Sequence, residues 1–369
     1  MENVTPRNIR FKEILTGLIV LALLFGGLLG GEVFLRLEER ARFGEDQAVV
    51  EKSSLFIRDE HTGLRRANPG IESGKIRISR QGFRGPDLVE EHTSKRVTIA
   101  FLGHSTTFDA YAGETENWPY LVTQLLQQQL QGCTVDFING AVPGFGPRHM
   151  LEYFHAYVEQ YAPDITFVLT GSYNADLDDQ AQQQGYHVFQ SEQEWLDQYS
   201  LLLRKIRKNA EIIQIMRSAF NETNKLQPDW RQLENASKQW LEKMATQLKD
   251  AGTAVVFITI ASRIRQDLPE TEQLAAARSQ LYYIPYVTIP TLIKVRELYN
   301  ETIIATAQKF DTLLVADADS IPPTNDYFID SSHFTAKGSR RMSERVIEQL
   351  DKSQDFINLM AKLKSRCTP

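Results

Sequence analysis

The stretch Val97-Thr98-Ile99-Ala100-Phe101-Leu102-Gly103-His104-Ser105-Thr106-Thr107-Phe108 decides the fold. Val97 to Leu102 is short, apolar and partly β-branched, and it ends on a glycine. Such a run reads as a strand buried on both faces, the mark of a parallel sheet. Ser105 stands just beyond its carboxyl end. In open parallel sheets that edge is where ligands bind.

Working outward, four more runs share this character: Val135–Asn139, Ile165–Thr170, Ala254–Ile260 and Thr312–Ala316. Helical patterns fall between and after them, over Trp118–Leu130, Gly146–Tyr161, Glu192–Phe220, Trp230–Ala251, Ile293–Phe310 and Thr335–Leu350. Strand–helix alternation predicts a three-layer α/β/α domain over residues 96–352 around a five-stranded parallel sheet. About eighty residues separate Thr170 from Ala254, too many for one crossover. A helical insertion is therefore expected at about 178–250, either a cap over the site or peripheral decoration. A second insertion, Ser262–Pro290, carries Tyr282, Tyr283, Pro285, Tyr286 and Pro290 and reads as an ordered loop more than a helix. Its aromatics suit a carbohydrate site or plain packing. Residues 32–95 read as a tether and lead-in, and 353–369 as a C-terminal tail.

Three segments besides Gly103-His104-Ser105 converge on the same edge. They are Asn139-Gly140-Ala141-Val142-Pro143-Gly144, Gly171-Ser172-Tyr173-Asn174, and Asp330-Ser331-Ser332-His333. A serine hydroxyl becomes a nucleophile when a base removes its proton, and the base needs a carboxylate to orient it. Ser105, His333 and Asp330 supply those roles. Developing negative charge on a reacting carbonyl needs donors. The backbone N–H groups of Ser105 and Gly144 and the side-chain amide of Asn174 are the candidates. If this holds, Ser105 Oγ and a ring nitrogen of His333 lie within or near hydrogen-bond reach. Taken singly, Gly-x-Ser after a strand is commonplace, and Asp-x-x-His often marks only a helix N-cap.

Other patterns exclude function classes. A net charge of -6 and the lack of a basic stripe argue against nucleic acid. The loop at Asn139–Gly146 lacks the glycine order of a dinucleotide turn. Asp176, Asp178 and Asp179 read as a solvated helix start rather than a metal site. His149, His155 and His187 have no patterned partner. No cofactor and no metal are expected. Cys133 and Cys367 make no disulfide framework, so they leave the redox compartment open.

Ile14 to Gly31 holds 18 uncharged residues, preceded by Arg7, Arg10 and Lys12. That length suits a short transmembrane helix. No small-x-small cleavage site follows, and the chain runs on into a charged amphipathic stretch from Glu32 to Arg40. An uncleaved anchor after a 13-residue tail is expected, with the bulk of the chain extracytoplasmic.

The four strand-end segments resemble the sequence blocks of the SGNH (GDSL-type) hydrolase family. Ser105 matches its nucleophile, Gly144 and Asn174 its oxyanion residues, and Asp330 and His333 its closing Asp-x-x-His. His333-x-Thr335-x-x-Gly338 extends the match, and Gln81-Gly82-Phe83-Arg84-Gly85 resembles the lead-in of membrane-anchored bacterial members. The family's usual Gly-Asp-Ser is Gly103-His104-Ser105 here, and Ala175 stands where aspartate is usual. The resemblance implies a flavodoxin-like fold and hydrolysis or transfer of ester-linked acyl groups, with envelope or exopolysaccharide glycans as the expected substrates. A glycan-binding or scaffolding protein on the same fold, its site decayed, is the alternative.

Overall fold

A computed structural model describes residues 6–43, 55–89, 95–171, 174–186 and 200–367, leaving out the side chains of residues 6–12, 42–43 and 174–175. The chain opens with helix α1, Pro6–Phe43. Two small antiparallel hairpins follow: β1 (Phe56–Arg58) with β2 (Arg65–Ala67), and β3 (Glu72–Ser73) with β4 (Ile76–Arg77). The central sheet is made of β5 (Arg96–Gly103), β6 (Thr134–Asn139), β7 (Ile165–Leu169), β8 (Ala254–Ile258) and β9 (Leu313–Val315). All its pairings are parallel, in the order β6-β5-β7-β8-β9.

Successive strand residues face opposite layers, as a period of two requires. Ala100, Leu102, Val168 and Phe257 join one apolar cluster, and Ile99, Phe101, Phe167 and Val256 the other. The first cluster includes residues of α4 (Pro147–Tyr153), α7 (Trp230–Asp250) and α9 (Ile289–Phe310). The second includes residues of α3 (Trp118–Gln129), α10 (Ala336–Leu350) and α11 (Gln354–Cys367). The architecture is thus a five-stranded parallel sheet between two helical layers. Phe101 and Phe167 sit opposite each other in register and stack, with ring centroids 4.8 Å apart. Strand order reverses between β5 and β7, and Ser105 follows β5 at that switch point.

Three expectations change. The Ser262–Pro290 segment is largely helical, with α8 over Glu270–Tyr283. Of its buried Gln273, Ala276, Ala277 and Leu281, three are small or polar, so the sequence shows no clear apolar stripe. The segment read as a C-terminal tail is α11, which buries Phe356, Met360 and Leu363. Cys367 at its end is disulfide-bonded to Cys133, a pairing between residues 234 apart in sequence. The insertion is also shorter than 178–250, because α7 is a sheet-covering helix that buries Leu241, Met244 and Leu248. The helices left within it are α5 (Asn174–Gln183) and α6 (Leu201–Met216), and residues 187–199 lie outside the described set. Smaller differences have local causes. Helix α9 starts four residues early, since Pro290 sits in its first turn, where a missing N–H does no harm.

Candidate active site

Ser105 opens a single helical turn, α2, over Ser105–Phe108. A helix end leaves carbonyls without partners. Here buried side chains from three distant segments satisfy them. The indole N–H of Trp118 donates to Thr106 O at 3.0 Å, and the amide of Asn139 donates to Thr107 O at 3.0 Å. The guanidinium of Arg84 donates to Phe108 O, to Asp109 O at 2.6 Å and to Ala112 O at 2.7 Å. Arg84 is fully buried, and burial brings its pKa down to about 10 against the opposing charges of Asp109 and Glu114. Asn139 also accepts the Ala141 N–H at 3.2 Å, so it joins the Gly144 loop to the serine turn. Arg84 lies inside the lead-in motif, but neither the role of Arg84 nor those of Trp118 and Asn139 is visible in local sequence.

His104 caps the same turn. Its Nδ1 accepts the Thr106 N–H at 3.4 Å and lies 3.5 Å from Ser105 Oγ. An N-cap needs an acceptor, and aspartate is among the best. A neutral histidine accepts equally, and burial together with the charge of His333 holds the His104 pKa down at about 3. The departure from Gly-Asp-Ser therefore keeps the capping role.

Asp330 to His333 form a tight loop closed by an antiparallel bridge between Phe328 and Phe334. Ile329 N–H donates to His333 O at 2.8 Å, and Thr335 N–H to Tyr327 O at 3.0 Å. Thr335 then caps α10 by accepting the Gly338 N–H at 3.0 Å. A β-carbon at position 338 would overlap the Tyr327 carbonyl oxygen, which explains the glycine of His-x-Thr-x-x-Gly. Asp330 Oδ1 accepts the backbone N–H groups of Ser332 and His333, each at 2.9 Å.

Ser105, His333 and Asp330 meet. His333 Nε2 is 2.8 Å from Ser105 Oγ, and His333 Nδ1 is 2.8 Å from Asp330 Oδ2. Burial pushes Asp330 up, but hydrogen bonds and the charge of His333 outweigh it and leave the carboxyl below its ordinary range. Burial pushes His333 down, yet Asp330 and the charge of Asp109 hold it above ordinary imidazole. Asp109, buried beside Arg84 and bonded to Ser339 Oγ at 2.7 Å, is itself pushed up to about 6 by burial. Tyr111 lays its ring edge-on to His333, centroids 5.3 Å apart.

Gly144 adopts a left-handed φ of 86°, and a β-carbon there would meet nothing within 4 Å. Backbone conformation, not crowding, selects glycine at this position. Asn174 begins α5, but its side chain and residues 172–173 lie outside the described set. Asp176 and Asp178 are not a solvated helix start. They are half-buried and bonded to the hydroxyls of Tyr299 and Tyr286, pinning α5 in place. His149 stacks on Phe145, and His155 bonds Glu159 and Gln247. His187 lies outside the described residues.

Fold and site together define an α/β/α protein with a hydrogen-bonded serine–histidine–aspartate chain at the switch point of its sheet. No protein-family model matches the chain, and no curated protein matches it. Among solved structures it is similar to TesA, with 16% identity over 69% of this chain and 97% of that one, TM-score 0.38. It is also similar to a catalytic mutant of an acetylxylan esterase from Geobacillus stearothermophilus, with 12% identity over 69% and 93%, TM-score 0.41. A third, an acetyl xylan esterase, is 12% identical over 68% and 98%, TM-score 0.41. At these scores the likeness assigns no chemistry to this chain.

Proposed function

We propose that this chain is a serine-dependent ester hydrolase, or an acyltransferase working by the same first step, tethered to a membrane by α1. The observation that carries the reading is the unbroken hydrogen-bond chain from Ser105 Oγ through His333 to Asp330. An ionised Asp330 accepts from His333 Nδ1–H, which leaves Nε2 free to take the Ser105 proton. Ser105 Oγ attacks the acyl carbon as His333 takes that proton. The Ser105 and Gly144 N–H groups and the Asn174 amide then hold the oxyanion. His333 returns the proton to the leaving alkoxide, and an acyl-serine remains. Water, or an acceptor hydroxyl, deprotonated by His333 releases the acyl group and restores Ser105.

O-acetyl groups on envelope or exopolysaccharide glycans are the proposed substrates. Tyr111, its ring edge-on to His333, supports an aromatic surface suited to a sugar ring. Among the described residues, one helix is long and apolar enough to cross a membrane, Glu13–Ala41, and its apolar window is not buried. A disulfide between Cys133 and Cys367 favours an extracytoplasmic domain, since such bonds persist in oxidising compartments.

The test is Ser105→Ala in the full chain, assayed on a short-chain aryl acetate. Activity is expected to fall by at least about a thousandfold with the melting curve unchanged. An unchanged rate overturns the assignment. Absence of fluorophosphonate labelling of folded wild-type protein favours the binding alternative.

A further inference from the structure

Helix α6 carries apolar side chains that are exposed among the described residues. Leu203 is 44% exposed, and Ile206 and Ile213 are each 53% exposed. Their spacing places them on one face of the helix. Arg204, Lys205, Arg207 and Lys208 flank the first two.

The start of α6 is fastened to the end of the apolar run of α1. The Glu32 carboxylate accepts the Ser200 hydroxyl at 3.0 Å and the N–H groups of Leu201 and Leu202 at 3.0 and 2.8 Å. A β-carbon on Gly31 would lie 3.3 Å from Leu202. Farther on, Arg204 and Lys205 reach Glu39 at 3.8 and 3.7 Å, and Lys205 also reaches Glu38 at 3.8 Å. The two helices therefore run side by side in the same direction.

We propose that the first two turns of α6 form a second membrane contact, seated among phospholipid headgroups beside the anchor. This rests on reading α1 as that anchor. The 18-residue run from Ile14 to Gly31 is about 27 Å long as a helix, close to a hydrocarbon core of about 30 Å. Glu32 then stands at the edge of that core, and the headgroup layer extends several ångströms beyond it. Opposite Glu32, Leu203 lies within a few ångströms of the edge and Ile206 roughly 6 Å above it, both inside the layer. Helical side chains lean toward the N-terminus, which here means toward the acyl chains. The basic residues stand where lipid phosphates are. Ile213, roughly 17 Å up, clears the layer. The other side of α6 packs on α8, and Lys208 Nζ lies 4.7 Å over the Tyr282 ring. Through α8 the contact would hold the α/β/α domain at a fixed height above the bilayer.

The experiment uses the full chain in nanodiscs of mixed zwitterionic and anionic phospholipid. Single cysteines at Leu203→Cys, Ile206→Cys, Ile213→Cys, Ile357→Cys and Leu23→Cys are labelled with bimane, Cys133 and Cys367 being joined to each other. A headgroup nitroxide is expected to quench Leu203→Cys and Ile206→Cys several-fold more than Ile213→Cys and the exposed Ile357→Cys. Quenching of Leu203→Cys and Ile206→Cys by aqueous iodide, at the level of Ile357→Cys, overturns the proposal. Shielding of these two from both quenchers also overturns it, because protein then covers the stripe. Leu23→Cys is the control for the anchor: if an acyl-chain nitroxide does not quench it, the anchor reading itself falls.

Discussion

At the residue scale the proposed triad implies a pH dependence whose sign differs between activity and stability. His333 must be neutral to accept the Ser105 proton, and its pKa is raised above the ordinary 6.5. The kcat/KM profile should therefore rise with pH through an inflection above 6.5. An inflection at or below 6.5 in a stopped-flow or pH-stat profile contradicts the neighbours assigned to His333. Stability runs the other way. A raised histidine stabilises the fold below its unfolded pKa and stops doing so as pH rises through the folded value. A lowered aspartate stabilises above its unfolded pKa and stops as pH falls through the folded value. The pair thus stabilises most between the two ordinary values, 3.8 and 6.5, below the pH at which His333 is free to act as a base. The candidate residues Ser105, Asp330 and His333 could be picked out in sequence because each stands at a strand end or in a short motif, and the fold brings them within hydrogen-bond reach. The N-cap role of His104 was not, since it depends on which side-chain nitrogen meets the Thr106 N–H.

At the element scale the working unit is the single turn α2, too short to hold itself together. Its carbonyls depend on Arg84, Trp118 and Asn139, three donors that only the folded chain brings together. Arg84→Met keeps much of the volume but strips charged donors from three buried carbonyls. Each hydrogen bond to a charged group is worth about 1.5–3 kcal/mol, so the loss should reach at least about 3 kcal/mol. In urea melts the midpoint should drop clearly, and kcat should fall more than KM rises because the serine turn loosens. A variant with wild-type stability and kcat removes Arg84 from this role. Legibility also varied by element. Buried strands were plain, since sheet-core runs are apolar throughout. Helix α8 was hidden because its buried face is mostly alanine and glutamine, with Leu281 alone as a large apolar residue. Helix α11 was hidden because its buried Phe356, Met360 and Leu363 are spaced among polar residues in a short stretch.

At the scale of the whole molecule, the Cys133–Cys367 bond ties the entry of β6 to the last turn of α11 and so encloses most of the α/β/α domain. Two cysteines far apart in sequence announce nothing, and only the packing of α11 brings them together. Cross-linking so long a loop restricts the unfolded chain strongly, and the stabilisation expected is about 2–4 kcal/mol, tending to the upper end. For a domain of this size each kcal/mol moves the melting temperature by about 2–4 °C. Cys367→Ser should therefore melt at least about 4 °C below wild type. Ser105 lies at the opposite, carboxyl edge of the sheet, so kcat/KM at low temperature should hardly change. Alkylation in denaturant, before and after reduction, gives the covalent check on protein from its own host: no thiol reacts until a reductant is added. If both cysteines alkylate in the denatured, unreduced protein, the bond is absent there. The domain then faces a reducing compartment, and the extracytoplasmic placement falls while the triad assignment stands.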